Sequence, residues 1–156
     1  MKLILGTAQF GLPYGITRAT DHVSDIVLQD ILAAAEALDI VAIDTSPAYG
    51  NAESRMGDAV PNLFRQVQTK TKGGMRLLSI EEAERDFEFS LARLRRRSVD
   101  SFLVHSVEQL FSGHGADILR FLFSLREGGL ASRIGVSVYD ADQIDRVLDL
   151  FIPDVV

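Results

Sequence analysis

An α/β fold of the TIM (β/α)8-barrel type, incomplete at about five βα units plus a sixth strand, is what the sequence predicts. Three observations carry it. Short apolar runs rich in Val, Ile and Leu alternate with amphipathic helical patterns along the whole chain. Those runs do not themselves alternate with polar residues, as expected of parallel strands covered on both faces. Polar residues stand at the ends of successive runs, where barrel enzymes build their sites.

The elements follow in order. Residues 3–5 form the first run, leading into Gly6-Thr7-Ala8-Gln9-Phe10-Gly11 and a loop that reaches about Val23. Ser24 caps a helix through Leu38, with Ile31, Leu32 and Ala35 on its inner face. Residues 41–43 are the second strand, ended by Asp44, and a short helix over 53–60 is stopped by Pro61. Residues 67–69 are the third strand, ended by Lys70. Ser79 with Glu82 makes a capping box, after which Ala83, Phe87, Leu91 and Leu94 recur at helical spacing. Residues 101–104 are the fourth strand, followed by His105. A helix over 116–127 stops at Gly128-Gly129. Residues 134–138 are the fifth strand, with Ser137 near its end. Asp140 with Gln143 opens a further helix to about Leu150, and residues 154–156 begin a sixth strand. No linker or composition shift interrupts this order, so residues 1–156 are expected to be a single domain.

A doubly wound dinucleotide fold is the competing architecture. It requires G-x-G-x-x-G in a tight turn after the first strand. Here the glycine spacing is wrong and the stretch before the first helix is too long. Barrel enzymes build their sites from strand C-termini, so polar groups at four successive strand ends, Asp44, Lys70, His105 and Ser137, converge on one rim and favour the barrel.

Composition narrows the function. Sixteen Lys and Arg against 22 Asp and Glu give a net charge of −6, which argues against a nucleic-acid partner. No Cys is present, so disulfides, thiolate metal sites and a Cys nucleophile are excluded. His22, His105 and His114 share no metal-ligand spacing, and no metal is expected. The first apolar run is too short for a secretory segment, and nothing later approaches a membrane span. A cytoplasmic protein with no membrane partner is the expectation.

Taken singly, the rim residues fit ordinary structural roles: Asp44 as a turn cap, Tyr49 as a rim aromatic, Lys70 as a solvated charge, His105 as a core histidine. Lys72, beyond the strand and beside Gly73-Gly74, fits the solvated role better than Lys70. Arg93, Arg95, Arg96 and Arg97 close a helix, where cations favour the negative end of its dipole. Together, Asp44, Tyr49, Lys70 and His105 match carbonyl reduction, which needs an acid to protonate the developing alkoxide. A Tyr hydroxyl, with an ordinary pKa of about 10, needs a nearby cation to become a better acid. Lys70 is expected to lower it, and two units of lowering would take about 2.7 kcal/mol. Asp44 holds Lys70 charged, and His105 orients the carbonyl oxygen against Tyr49.

Leu5-Gly6-Thr7-Ala8-Gln9-Phe10-Gly11, Ile43-Asp44-Thr45 with Tyr49-Gly50, Thr69-Lys70, Val104-His105 and Arg133-Ile134-Gly135-Val136-Ser137 resemble the aldo-keto reductase family, in family order along essentially the whole chain. The resemblance implies a catalytic tetrad of Asp44, Tyr49, Lys70 and His105. It implies a small-molecule aldehyde or ketone as substrate and NADP(H) as cofactor, with NAD(H) the alternative. Gly6, Thr7, Asp44 and Ser137 would approach the nicotinamide end. Val138 departs from the Asn usual after the fifth-strand Ser, and Arg95-Arg96-Arg97-Ser98 replaces the usual Gly-containing approach to the fourth strand. Gln9, Phe10 and the loop after His105 are expected to line the substrate pocket.

Length bears on the same reading. A complete barrel takes about 250 residues, so this chain is expected to be a C-terminally truncated reductase lacking the segments that hold the cofactor's phosphates. Such a chain is expected to be a poor enzyme alone, to bind NADPH weakly, and to aggregate, self-associate through its open sheet edges or stay partly molten. Two alternatives remain open: a cofactor-binding or regulatory protein on the same scaffold, and a Schiff-base lyase using Lys70.

Overall fold

The computed structural model describes residues 3–16, 21–59, 64–72 and 79–156. Its elements are β1 (Leu5–Gly6), α1 (Ala8–Gly11), α2 (Asp25–Ala37), β2 (Ala42–Asp44), α3 (Ala52–Ala59), β3 (Gln66–Lys70), α4 (Ile80–Leu94), β4 (Val99–Val104), α5 (Val107–Leu110), α6 (Gly115–Glu127), β5 (Ala131–Val136) and α7 (Ala141–Leu148). The five strands form one parallel sheet in the order β1-β2-β3-β4-β5, so each βα unit lays its strand beside the previous one. That progression is the barrel's; a doubly wound sheet would reverse direction at a switch point.

Helix starts behave as their sequences dictate. The Ser24 hydroxyl accepts from the Val27 N–H, and Asp140 accepts from the Gln143 N–H. At α4 both halves of the capping box form between Ser79 and Glu82. The expected stop of α3 at Pro61 lies outside the described residues. The first strand sits later than expected, over Leu5–Gly6, because only these residues pair with Ile43 and Asp44. The fifth strand ends at Val136, which leaves Ser137 just past it. Residues 154–156 make a single parallel bridge, Gly135 to Val155, in place of a continuous strand. Two short helices, α1 and α5, were not foreseen; four residues carry too little periodicity to signal them.

The apolar core lies between sheet and helices. Ile43, Val67, Phe102, Val104, Ile134 and Val136 face Leu28 and Leu32 of α2, Ala83 and Phe87 of α4, and Ile118 and Leu122 of α6. Phe87, Phe102 and Phe121 meet edge to face with centroids 4.9–6.1 Å apart, joining α4, β4 and α6. The sheet's other face is polar. In register across five strands stand Gly6, Asp44, Gln68, Ser101 and Arg133, with Lys70 beside Leu103 and Gly135 one step on. Strand alternation puts core residues and site residues on opposite sides of the same strands.

Candidate active site

Asp44 closes β2 and is engaged at both ends. Its main-chain carbonyl accepts from the Thr7 N–H at 3.0 Å and the Thr7 hydroxyl at 3.1 Å, tying the exit of β1 to that of β2. Its carboxylate accepts from Lys70 Nζ at 2.6 Å on each oxygen and from Gln68 Nε2 at 2.7 Å. Gln68 and Lys70 are two apart on β3 and therefore share a face. Only 5% of the Lys70 side chain is exposed, against 26% for Asp44. A nearly buried ammonium needs such a partner, since an unpaired buried charge is expensive.

Lys70 Nζ also lies 3.4 Å from the Tyr49 hydroxyl oxygen and 5.3 Å from the ring centroid. A compact turn presents Tyr49. Ser46 accepts from the Tyr49 N–H with its carbonyl and from the Ala48 N–H with its hydroxyl. Gly50 takes φ +58°, and Gly11 passes so close that a Cβ there would lie 1.9 Å from the Tyr49 carbonyl oxygen. Arg55, one turn into α3, fixes the same loops by donating to the carbonyls of Phe10 and Val23 and to Asp25.

The expected electrostatics of Tyr49 are overturned. Its pKa is pushed up to about 12, first by burial and then by the Asp44 carboxylate, with smaller contributions from Tyr139 and Tyr14. Lys70 does not lower it, because the ammonium is neutralised at close range by Asp44. Tyr49 therefore keeps its proton throughout the neutral range.

His105 follows β4, with its ring edge-on to Tyr49 at 5.8 Å and 87°. Its Nδ1 lies 3.1 Å from Ser46 Oγ and 3.2 Å from the Thr71 carbonyl oxygen. Burial, and then the Lys70 charge, lower its pKa, so the neutral ring is favoured. The structure thus gathers Asp44, Tyr49, Lys70 and His105 at one rim.

Among the residues expected to meet the nicotinamide, Gly6 is exposed, and a Cβ there would meet nothing within 4 Å. Ser137 is half-buried and held by its N–H to the Val104 carbonyl, and its hydroxyl has no partner among the described residues. These two fit a carboxamide-bearing ring laid over the rim. Thr7 fits less well. It is fully buried, its N–H and hydroxyl serve the Asp44 carbonyl, and its own carbonyl accepts from Phe10. Phe10 is a core residue, 3% exposed, and does not line the rim as expected. Lys72 is exposed. Among the described residues no helix is long and apolar enough to cross a membrane, and no cluster of three or more metal-ligating side chains occurs.

Sequence reading missed several supports. Gln68 was legible from its spacing to Lys70. Ser46, Thr71 and Gln109 were not, since each acts through contacts 34–59 residues away. Glu53, 1% exposed, accepts from Thr69, Ser90 and Arg93, bolting β3 to α3 and α4. The arginines after α4 also have specific partners: Arg95 pairs with Asp58, and Arg96 donates to the Phe64 carbonyl.

Residues 2–156 match the aldo/keto reductase family model. The chain belongs to the aldo/keto reductase family. It is 33% identical over 154 residues to D-arabinose 1-dehydrogenase of Saccharomyces cerevisiae, covering 91% of this chain and 44% of that protein. A Pseudomonas aeruginosa structure described as an aldo-keto reductase superposes with a TM-score of 0.73 at 30% identity, covering 94% of this chain and 59% of that one. An aldo-keto reductase solved with NADPH superposes at 0.63 with 24% identity, covering 96% and 48%. The chain spans less than half of the yeast relative and under two thirds of these structures. Against aldo-keto reductase barrels, its five-stranded sheet is the corresponding run of βα units.

Proposed function

We propose that this chain carries the proton-transfer half of a carbonyl reductase, which converts an aldehyde or ketone to an alcohol with NADP(H), or with NAD(H) in its place. The observation that carries this reading is the contact of Lys70 Nζ with both the Asp44 carboxylate and the Tyr49 hydroxyl. When bound, the reduced nicotinamide supplies a hydride to the carbonyl carbon. Gly6 and Ser137, with Asp44 beneath them, would hold that ring.

The chain's own residues manage the oxygen. As the carbonyl π pair moves onto oxygen, Tyr49 donates a hydrogen bond and then its proton, leaving alcohol and tyrosinate. A pKa of about 12 keeps the proton in place until an alkoxide, a far stronger base, develops. Lys70, 3.4 Å from the oxygen that becomes negative, stabilises the tyrosinate before solvent reprotonates it. Asp44 keeps the ammonium aimed there. His105 bounds the same space on the Tyr49 side.

The name of the yeast relative supports a hydroxylated carbonyl–alcohol couple as the substrate class, and the NADPH complex of the solved neighbour supports the cofactor. Carbonyl-dependent consumption of NADPH by the protein carrying these residues tests the reading. Tyr49→Phe is expected to lower turnover by about two to four orders of magnitude while leaving the fold intact. Near-normal turnover in that variant overturns the assignment of the acid.

A further inference from the structure

The three tyrosines of this chain meet in one place. There is no Trp, and every aromatic side chain in the core is Phe. Tyr49 carries the proton. Tyr14 and Tyr139 have no part in that scheme, and they are 60% and 80% exposed. Tyr14 belongs to the loop after α1, which packs on the Tyr49 turn. Gly11 lies against the Tyr49 carbonyl oxygen, and Leu12 Cδ2 lies 3.4 Å from where a Gly50 Cβ would stand. Tyr139 follows the exit of β5. That exit lies beside the end of β4, where the Ser137 N–H donates to the Val104 carbonyl at 2.8 Å, and the next residue, His105, has its ring edge-on to Tyr49. Tyr14 and Tyr139 are each near enough to Tyr49 that their own negative charge, once ionised, opposes its ionisation.

Both residues are held by their main chain, which leaves the rings uncommitted. Gly15, at φ +85°, turns the chain directly after Tyr14, and Gln9 Nε2 donates to the Tyr14 carbonyl at 2.8 Å. Gln143 Oε1 accepts from the Tyr139 N–H at 2.8 Å, one residue ahead of the Asp140 cap of α7. An apolar side chain at that position ordinarily packs on the fourth residue of the helix, here Ile144. Tyr139 stays exposed instead. Neither of these two phenol hydroxyls has a partner among the described residues.

We propose that Tyr14 and Tyr139 are specificity-determining residues that receive a cyclic sugar beside Tyr49, with their ring faces against its C–H bonds. This deepens the reductase reading, on which it rests, by giving the hydroxylated substrate a place to bind. The face of a phenol is apolar and carries the negative part of the ring quadrupole, while its edge carries a hydroxyl. A pyranose is the complement: a patch of slightly positive C–H bonds rimmed by hydroxyls. A wholly apolar ring would meet the same faces and leave both phenol hydroxyls unused.

Binding to this chain, without cofactor, tests the proposal. In the absence of Trp the ultraviolet emission comes from these three tyrosines, and D-arabinose, which is transparent there, serves as the probe. A saturable change in emission is expected. Tyr14→Leu and Tyr139→Leu are each expected to raise the Kd about three- to tenfold, as loss of an aromatic contact does. Tyr14→Phe and Tyr139→Phe, which keep the ring face, are expected to stay within about twofold of the parent. Cyclohexanol, a ring of similar size with one hydroxyl, is expected to bind more weakly than the sugar. No saturable change, or an unchanged Kd in either Leu variant, overturns the proposal. Phe variants as weak as the Leu variants overturn the ring-face contact, and cyclohexanol binding as tightly as D-arabinose overturns the sugar. The reductase reading is judged by turnover and this one by binding, so either fails visibly without the other.

Discussion

At the scale of single residues, the site is governed by which charge neutralises which. Lys70 gives two of its hydrogen bonds to Asp44, so Tyr49 feels burial and a carboxylate more than an ammonium. Asp44→Asn removes the carboxylate and frees the ammonium's field. The Tyr49 pKa is therefore expected to fall from about 12, visible in a tyrosinate absorbance titration as one of three tyrosines ionising earlier. A Tyr49 midpoint that stays or rises would contradict this account. His105 gives a second pH signature. Its folded pKa lies below the ordinary 6.5, so the unfolded chain takes up the proton first as pH falls. Stability is expected to be intact above 6.5 and to decline as pH drops through that value toward the folded pKa. Thermal melting of the parent and of His105→Gln across that window should differ in slope; equal slopes would remove His105 as the cause.

Elements place these residues through close approaches more than through regular pairing. The loop bearing Tyr49 has no ladder to hold it and relies on α1, on Arg55 and on the Gly11–Gly50 contact. At Gly50, a Cβ would stand 2.3 Å from the Gly11 carbonyl oxygen, in a left-handed conformation that disfavours any side chain. Gly11→Ala is expected to force the Tyr49 turn away from Lys70 and to destabilise the fold by about 1–3 kcal/mol, typical of overpacking. Chemical denaturation with a parallel assay of carbonyl reduction would check it, and an unchanged midpoint with unchanged turnover would show that the loop tolerates the shift. The Glu53 cluster performs the same service behind the sheet. It holds Thr69 from the helix side while Lys70, the next residue, points to the rim.

On the scale of the whole molecule, the helix-covered face of the sheet is closed and the opposite face is not. Gly6, Gln68 and Arg133 share a register that ends at two edges, β1, with no further strand among the described residues, and β5, covered only by the single bridge to Val155. Leu3, Ile4 and Ile152 are exposed near them, and the buried Ser101 hydroxyl has no partner among the described residues. Exposed strand edges with apolar neighbours recruit other chains. This chain by itself is expected to sediment as species larger than its 17.2 kDa monomer and to bind NADPH weakly. A compact monomer with micromolar affinity in calorimetry would show that edges and rim are satisfied in some other way.

What the sequence determined by itself was local and periodic. Strand order, the three capped helices and the alternation that sends Ile43 inward and Asp44 to the rim all rest on neighbours two to four residues apart. The four rim residues Asp44, Tyr49, Lys70 and His105 were legible as a group because each lies at a strand end or in the turn that follows one. The tertiary structure alone decided how those members act on one another. Whether Lys70 lowers or fails to lower the Tyr49 pKa depends on a 2.6 Å contact made across 26 residues. The contacts of His105 Nδ1 with Ser46 and with the Thr71 carbonyl are made across 59 and 34 residues. Electrostatic and hydrogen-bond energies vary steeply over an ångström, and no spacing along a chain reports distances that finely.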